Sequence, residues 1–203
     1  MKLICVEGCI GVGKTTVATQ LVNIIGDANS LLEDFSLHPF LEDFYADPKY
    51  TFETEINFLL IHYHQLVKAM GEQHILLISD YCFLKDKLFA DANILSKKEL
   101  DIFMRLYSYL QSRLVQPDAI ICLSGTTDMI YNRIIKRNRK AEKSISYDYV
   151  DKINKHYELF FSELKKSHYT INVNMNENDF INDPGLIYVI KRKLEEDVVL
   201  SCN

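Results

Sequence analysis

KLICVEGCIGVGKTT, residues 2–16, joins an apolar run directly to a glycine-rich loop. Leu3–Val6 reads as a strand buried on both faces, and a helical pattern follows over Thr16–Ile25. Between them Gly8, Gly13, Lys14 and Thr15 fit GxxxxGK[ST]. A turn of this kind lets successive backbone N–H groups converge on phosphate oxygens, and the positive end of the next helix faces the same anion. Gly8, Gly11, Gly13, Lys14, Thr15 and Thr16 are therefore the expected ATP-phosphate site. Lys14 would reach the outer phosphates, and the Thr15 hydroxyl would ligate Mg²⁺.

Working outward, the 203 residues are 48% apolar and 25% charged, which suits one soluble domain, 1–203, with a full core. The net charge of −5 argues against a broad nucleic-acid or anionic-membrane surface, so small substrates are the expected partners. Cys5, Cys9, Cys82, Cys122 and Cys202 show no metal-type spacing and are odd in number, as expected of reduced, mostly buried thiols. The first apolar run is too short for a signal peptide and no stretch reaches transmembrane length, which makes a cytoplasmic location the expectation.

Strand-like runs at Leu3–Val6, Leu31–Glu33, His74–Ser79, Ala119–Leu123 and Tyr169–Val173 alternate with helical patterns. Phe52, Ile56, Leu59, Leu60, Tyr63 and Val67 recur at helical spacing, as do Leu100, Phe103, Leu106, Tyr107 and Leu110. Further helical patterns cover Met129–Lys136, Tyr147–Leu164 and Leu186–Glu195. This alternation predicts an α/β fold: a doubly wound, parallel, five-stranded sheet with helices on both faces. Ligands of such sheets bind beyond the carboxyl ends of the strands, which directs attention to acids at strand ends.

Asp80 closes the strand HILLISD, where it could hold Mg²⁺ opposite Thr15; the alternative is a cap for the next helix. Glu33, at the end of the second strand, is either a base for an attacking hydroxyl or a solvated acid, and the residues alone leave that choice open. RIIKRNRK places Arg133, Lys136, Arg137, Arg139 and Lys140 between two helices. They can act as a lid over a transferring phosphoryl group, at about residues 136–146, or simply end a helix favourably.

EGCIGVGKTT, Glu33 followed by HPFLEDFYADPKYTF, Asp80 followed by an aromatic and FLKDKLFA, QPDAIICL and RIIKRNRKAEKS together resemble the deoxynucleoside kinases, P-loop enzymes that move the γ-phosphoryl of ATP to the 5′-hydroxyl of a deoxynucleoside. The similarity runs to about Phe161 and is closest to the bacterial deoxyguanosine and deoxyadenosine kinase branch. It implies Glu33 as the base and Arg137 and Arg139 as lid arginines. It further implies Tyr45 and Glu142 on the sugar 3′-hydroxyl, and Glu55 on the base edge where many members have Gln. Phe52, Leu59 and Phe83 would line the base pocket, and a homodimer formed through helices beside the third strand is implied by the resemblance alone.

Two departures stand out. Most of the family follows the third-strand acid with Arg, whereas Asp80 is followed by Tyr81. Glu55 replaces a neutral amide with a group that, when ionised, only accepts hydrogen bonds. Guanine presents two adjacent N–H donors and suits a carboxylate; adenine and cytosine present a donor beside an acceptor and do not. The expected activity is phosphorylation of a purine deoxynucleoside, with preference for deoxyguanosine. The alternatives are a deoxyadenosine/deoxycytidine kinase, a nucleoside-monophosphate kinase such as thymidylate kinase, and a non-catalytic nucleotide sensor.

Overall fold

Leu3 to Val6 are at most 3% exposed, because β1 (Lys2–Gly8) is the central strand of the sheet and is covered on both faces. The computed structural model describes residues 1–34, 38–178, 180, 183 and 185–196. Its five strands, β1, β2 (Asn29–Leu31), β3 (Leu76–Ser79), β4 (Ala119–Ser124) and β5 (Thr170–Asn174), are all parallel in the order β2-β3-β1-β4-β5. Ile4 pairs with Ile78 on one side and Ala119 on the other, so uninterrupted apolar runs meet in the middle layer. The α/β architecture expected from the alternation is the one observed.

The helices are α1 (Lys14–Ile25), α2 (Leu41–Ala46), α3 (Thr51–Gly71), α4 (Lys85–Asn93), α5 (Lys97–Gln111), α6 (Thr127–Arg137), α7 (Tyr147–Leu164) and α8 (Gly185–Glu196). α7 has the bounds its periodicity indicates, because the Ser146 side chain accepts from the Tyr149 N–H and starts the helix there. α1 begins two residues before the expected Thr16, at Lys14, directly after Gly13. The short helices α2 and α4 escape the periodicity reading: six and nine residues are too few for a clear stripe.

β2 lies earlier than expected. It pairs Asn29 with Leu77 and Leu31 with Ser79, and the chain leaves the sheet before Glu33. The Asp80 N–H still donates to Leu31 O at 3.1 Å, while the Glu33 N–H turns to the Asp80 side chain. β3 also starts later, at Leu76 instead of His74. Exposed Leu60 and Val67 on α3 and Ile102 and Tyr109 on α5 lie on helices that pack against each other. Cys5, Cys9, Cys82 and Cys122 are buried and free, and Cys202 lies outside the described residues. Among the described residues no helix is long and apolar enough to cross a membrane.

Candidate active site

A cleft of about 1030 Å³ opens beyond the carboxyl ends of β1 and β3, where the fold rule places ligands. Its floor is the phosphate loop. Gly11 and Gly13 take φ of 83° and 118°, and a Cβ on Gly11 would come within 2.5 Å of Ile134. Glycine is required there by backbone conformation and by the close approach of α6. Gly13 caps α1 without a side-chain bond, leaving the first amides of the helix free for an anion. Gly11, Gly13, Lys14, Thr15 and Thr16 line the cleft. Gly8 ends β1, where a Cβ would meet Leu123 O at 2.5 Å.

Lys14 Nζ donates to Gly8 O at 2.8 Å and Cys9 O at 3.3 Å. Burial lowers its pKa from the ordinary lysine value, and Glu7 and Glu33 partly offset that. Glu7 is fully buried. It accepts from the Cys82 N–H at 2.6 Å, the Gly8 N–H at 3.1 Å and the Tyr157 hydroxyl at 2.9 Å, tying the loop to α7 and to the segment after β3. Arg133 Nη1 donates to Val12 O at 2.7 Å and braces the loop from α6.

Asp80 joins this loop to the second strand-end acid. The Thr15 hydroxyl donates to its Oδ2 at 2.5 Å, and the Glu33 N–H donates to its Oδ1 at 2.7 Å. Helix α4 starts five residues later, so Asp80 does not cap it. A hydroxyl beside a carboxylate at the base of a phosphate loop is a hard-oxygen pair of the kind Mg²⁺ takes together with phosphate and water, and the donor set fits that ion.

The Glu33 carboxylate is enclosed by cations. Lys85 Nζ lies 2.8 Å and His62 Nε2 2.9 Å from the same oxygen, Oε1. Burial alone would raise the Glu33 pKa, but Lys85 and His62 reverse it and hold the group well below the usual carboxylate range. His62 Nδ1 bonds Asp86 Oδ1 at 2.8 Å. Burial opposes the charged imidazole, yet Asp86 raises its pKa to about 9, so it bridges two carboxylates as an imidazolium. His38 packs on Phe58 at 3.7 Å and is neutral, its pKa pushed down to about 4 by burial and then by His62.

The far end of the cleft is apolar. Leu41, Phe44, Tyr45, Phe58, Phe89 and Tyr149 line it. Phe52 and Phe83, expected here, are core residues instead, as is Leu59. Helix α3 turns about 100° per residue, so from Glu55 the Phe58 side chain falls to one side and Phe52 and Leu59 to the other. Phe52 packs against the hydrophobic core and Leu59 is fully buried in it. Phe83 stacks on Tyr107 of α5, with centroids 5.4 Å apart, facing away from the cleft. Glu55 does face it and is 4% exposed, accepting from Asn93 Nδ2 at 2.8 Å. Burial raises its pKa to about 8 against the lowering effect of that bond.

Arg137, Arg139 and Glu142 line the wall opposite. Glu142 is buried and takes a two-pronged bond from Arg137, at 2.6 and 3.1 Å, with Arg139 Nη1 3.9 Å from the same carboxylate. Tyr45 is close enough that, after burial, Glu142 is the next cause raising its phenol pKa. The expected pair is thus brought together, but Glu142 is held by the arginines. Lys85, His62, Asp86 and Asn93 are site residues that the sequence reading did not single out. Lys85 and Asp86 sit in the quoted FLKDKLFA, and His62 lies about two turns after Glu55 on the same face of α3.

The family model for deoxynucleoside kinase matches residues 4–199. The chain is 33% identical over 172 residues to the deoxyguanosine kinase of Bacillus subtilis, covering 81% of this chain and 80% of that protein. It is 28% identical over 201 residues to the deoxyadenosine kinase of Dictyostelium discoideum, covering 95% and 79% of the two. The solved structure of deoxyadenosine kinase from M. mycoides with bound dCTP superposes with a TM-score of 0.83 at 25% identity, covering 96% of this chain and 99% of that one. A phosphate loop, a strand-end carboxylate beside it, an apolar cleft and this match along nearly the whole sequence lead to one assignment: the chain belongs to the deoxynucleoside kinase family.

Proposed function

We propose that this enzyme transfers the γ-phosphoryl of ATP to the 5′-hydroxyl of a purine deoxynucleoside, with preference for deoxyguanosine. The observation that carries the reading is the double use of Asp80, which holds Thr15 of the phosphate loop with one oxygen and the Glu33 backbone with the other. Donor site and base are thereby joined at one side chain. Glu33 receives the hydroxyl proton. Its low pKa makes it a weak base but keeps it ionised, and a loose phosphoryl-transfer transition state asks chiefly for orientation and charge. Thr15 and Asp80 would hold Mg²⁺, which supplies charge neutralisation on the phosphates when bound.

Glu55 supports the choice of base. Its carboxylate can take two parallel bonds from guanine, and the B. subtilis relative named deoxyguanosine kinase is consistent with that choice. A pKa of about 8 means that deoxyguanosine binding must first remove a proton at neutral pH. Asp86 also disfavours the charge, while His62 and Lys85 favour it, and Lys152 and Tyr149 face the same Asn93. The sign follows: the bound-state pKa is depressed below 8, so affinity is full above about pH 8 and falls toward tenfold per unit below it. Protonated Glu55 offers a donor beside an acceptor, which adenine can match. The ratio of kcat/KM for deoxyguanosine over deoxyadenosine should therefore rise by on the order of 10²-fold from pH 6.5 to 8.5, and Glu55→Gln should flatten it. A labelled-ATP assay over the four deoxynucleosides across that range checks both, and a flat wild-type profile or a preference for deoxyadenosine at pH 8.5 removes the guanine reading.

The loop after α6 is proposed as a lid. Arg137 and Arg139 are balanced by Glu142, and substrate that engages Glu142 would release guanidinium groups toward the phosphates. Arg137→Ala should lower kcat about tenfold or more while changing the nucleoside KM less. Limited proteolysis within residues 136–146 should slow when a bisubstrate analogue is bound. Unchanged cleavage would reduce the segment to a basic helix end.

A further inference from the structure

Lys85, in the first turn of α4, is 5% exposed, and lysine is buried to that degree only when its charge is matched. Here Glu33 supplies the match. Lys85 Nζ donates to Glu33 Oε1, the oxygen that His62 already engages, while Glu33 Oε2 receives neither. A structural ion pair needs one cation per carboxylate. Asp86 balances His62, which leaves Lys85 as the cation that matches Glu33, with its ammonium on the cleft. Glu33, Glu7 and Asp86 together keep it protonated despite burial.

The surroundings show what this ammonium faces. Lys85 lines the same cleft as Lys14, Thr15, Asp80 and Glu33. Lys14 and Lys85 are close enough to repel: Lys85 is among the causes that depress the Lys14 pKa. Tyr81 does not fill this space with charge. Its ring stacks on His62 at 4.5 Å and sits 5.4 Å from Lys85 Nζ, and its hydroxyl donates to Gln65. The residue after Asp80 is thus an aromatic wall, and the cation near the base arrives from α4.

We infer that Lys85 is a catalytic residue whose ammonium stabilises the phosphoryl group in transit between ATP and the acceptor hydroxyl, in addition to orienting Glu33. In that step the bond from the γ-phosphorus to the β,γ-bridging oxygen breaks and its electron pair leaves with ADP. A bond forms from the 5′-oxygen to the γ-phosphorus, and the hydroxyl proton passes to Glu33. Charge spread over the three peripheral oxygens is met by Lys14 on one side and Lys85 on the other. This inference rests on the kinase reading above.

Full-length Lys85→Met should lose about 10²-fold in kcat with the deoxynucleoside KM changed by no more than about threefold, and Lys85→Arg should recover at least about tenfold of that loss. A double-mutant cycle separates direct action from orientation of Glu33. If Lys85 touches the phosphoryl group, Lys85→Met in a Glu33→Gln background lowers kcat by a further tenfold or so; if it acts only through Glu33, it costs nothing more. The cycle also serves if the single Lys85→Met variant misfolds, because removing both partners leaves no unpaired carboxylate. Retention of wild-type kcat in Lys85→Met, or no further loss in the double variant, overturns the inference. Failure of the wild-type protein to transfer phosphate to any deoxynucleoside would instead overturn the reading on which it rests.

Discussion

Lys14→Ala is expected to lower kcat by about 10³-fold at saturating nucleoside, the largest effect of any single change in this chain. Lys14 is the first residue of α1 and the only ammonium carried by the phosphate loop itself. Its Nζ rests against the Gly8 and Cys9 carbonyls, so it is positioned by the loop proposed to bind the phosphates. The backbone amides and the helix end survive its removal, which leaves part of the ATP affinity in place. The charge that grows on the transferring group loses its nearest partner, and that loss falls on kcat. Circular dichroism should show an intact fold, since Lys14 makes no side-chain ion pair among the described residues. Activity within about twofold of wild type would remove the phosphate-loop assignment.

Glu33→Gln should cost roughly 10²-fold in kcat, within the span of a lost general base, and should also cost stability. The two effects have separate causes. An amide accepts the hydroxyl hydrogen bond but cannot take its proton. Lys85 and His62 both lie within 3 Å of the carboxylate oxygen, and neutralising it leaves buried positive charge uncompensated. Breaking such a pair costs about 3–5 kcal/mol when one partner goes, and the amide oxygen recovers part of that by accepting a bond. A thermal melt should fall by several degrees while deoxynucleoside binding, followed by calorimetry, persists. If kcat were unchanged and only KM rose, Glu33 would be a binding residue and the proton would leave by another route.

The phosphate loop was legible because its requirements are local: a strand, a glycine turn and a helix start are consecutive in KLICVEGCIGVGKTT. Asp80 was legible as the acid closing an apolar strand, and its contact with Thr15 places it beside the loop. Glu33 was legible as an acid near the end of the second strand. It stands two residues beyond β2, and it faces the cleft because its N–H is captured by Asp80. Phe52 and Phe83, expected to line the cleft, pack in the core instead, since a helical stripe shows which residues share a face but not which part of that face meets the core. Phe58 lies on the same helix as Phe52, and only the packing of α3 distinguishes them.

Sequence alone determined the α/β class, the phosphate loop, the two strand-end acids and the family resemblance, because each is written in contiguous residues or in a period of two or 3.6. The tertiary structure decided what those acids are worth. Lys85 and His62 are 52 and 29 residues from Glu33 in the chain, yet they fix its charge, and Asn93 reaches Glu55 across 38 residues. Such pairings depend on the angle at which α3 and α4 cross the sheet, and no local spacing encodes it. A buried carboxylate takes its pKa from whatever the fold brings within a few ångströms, so the chemistry of this site belongs to the packing as much as to the motif.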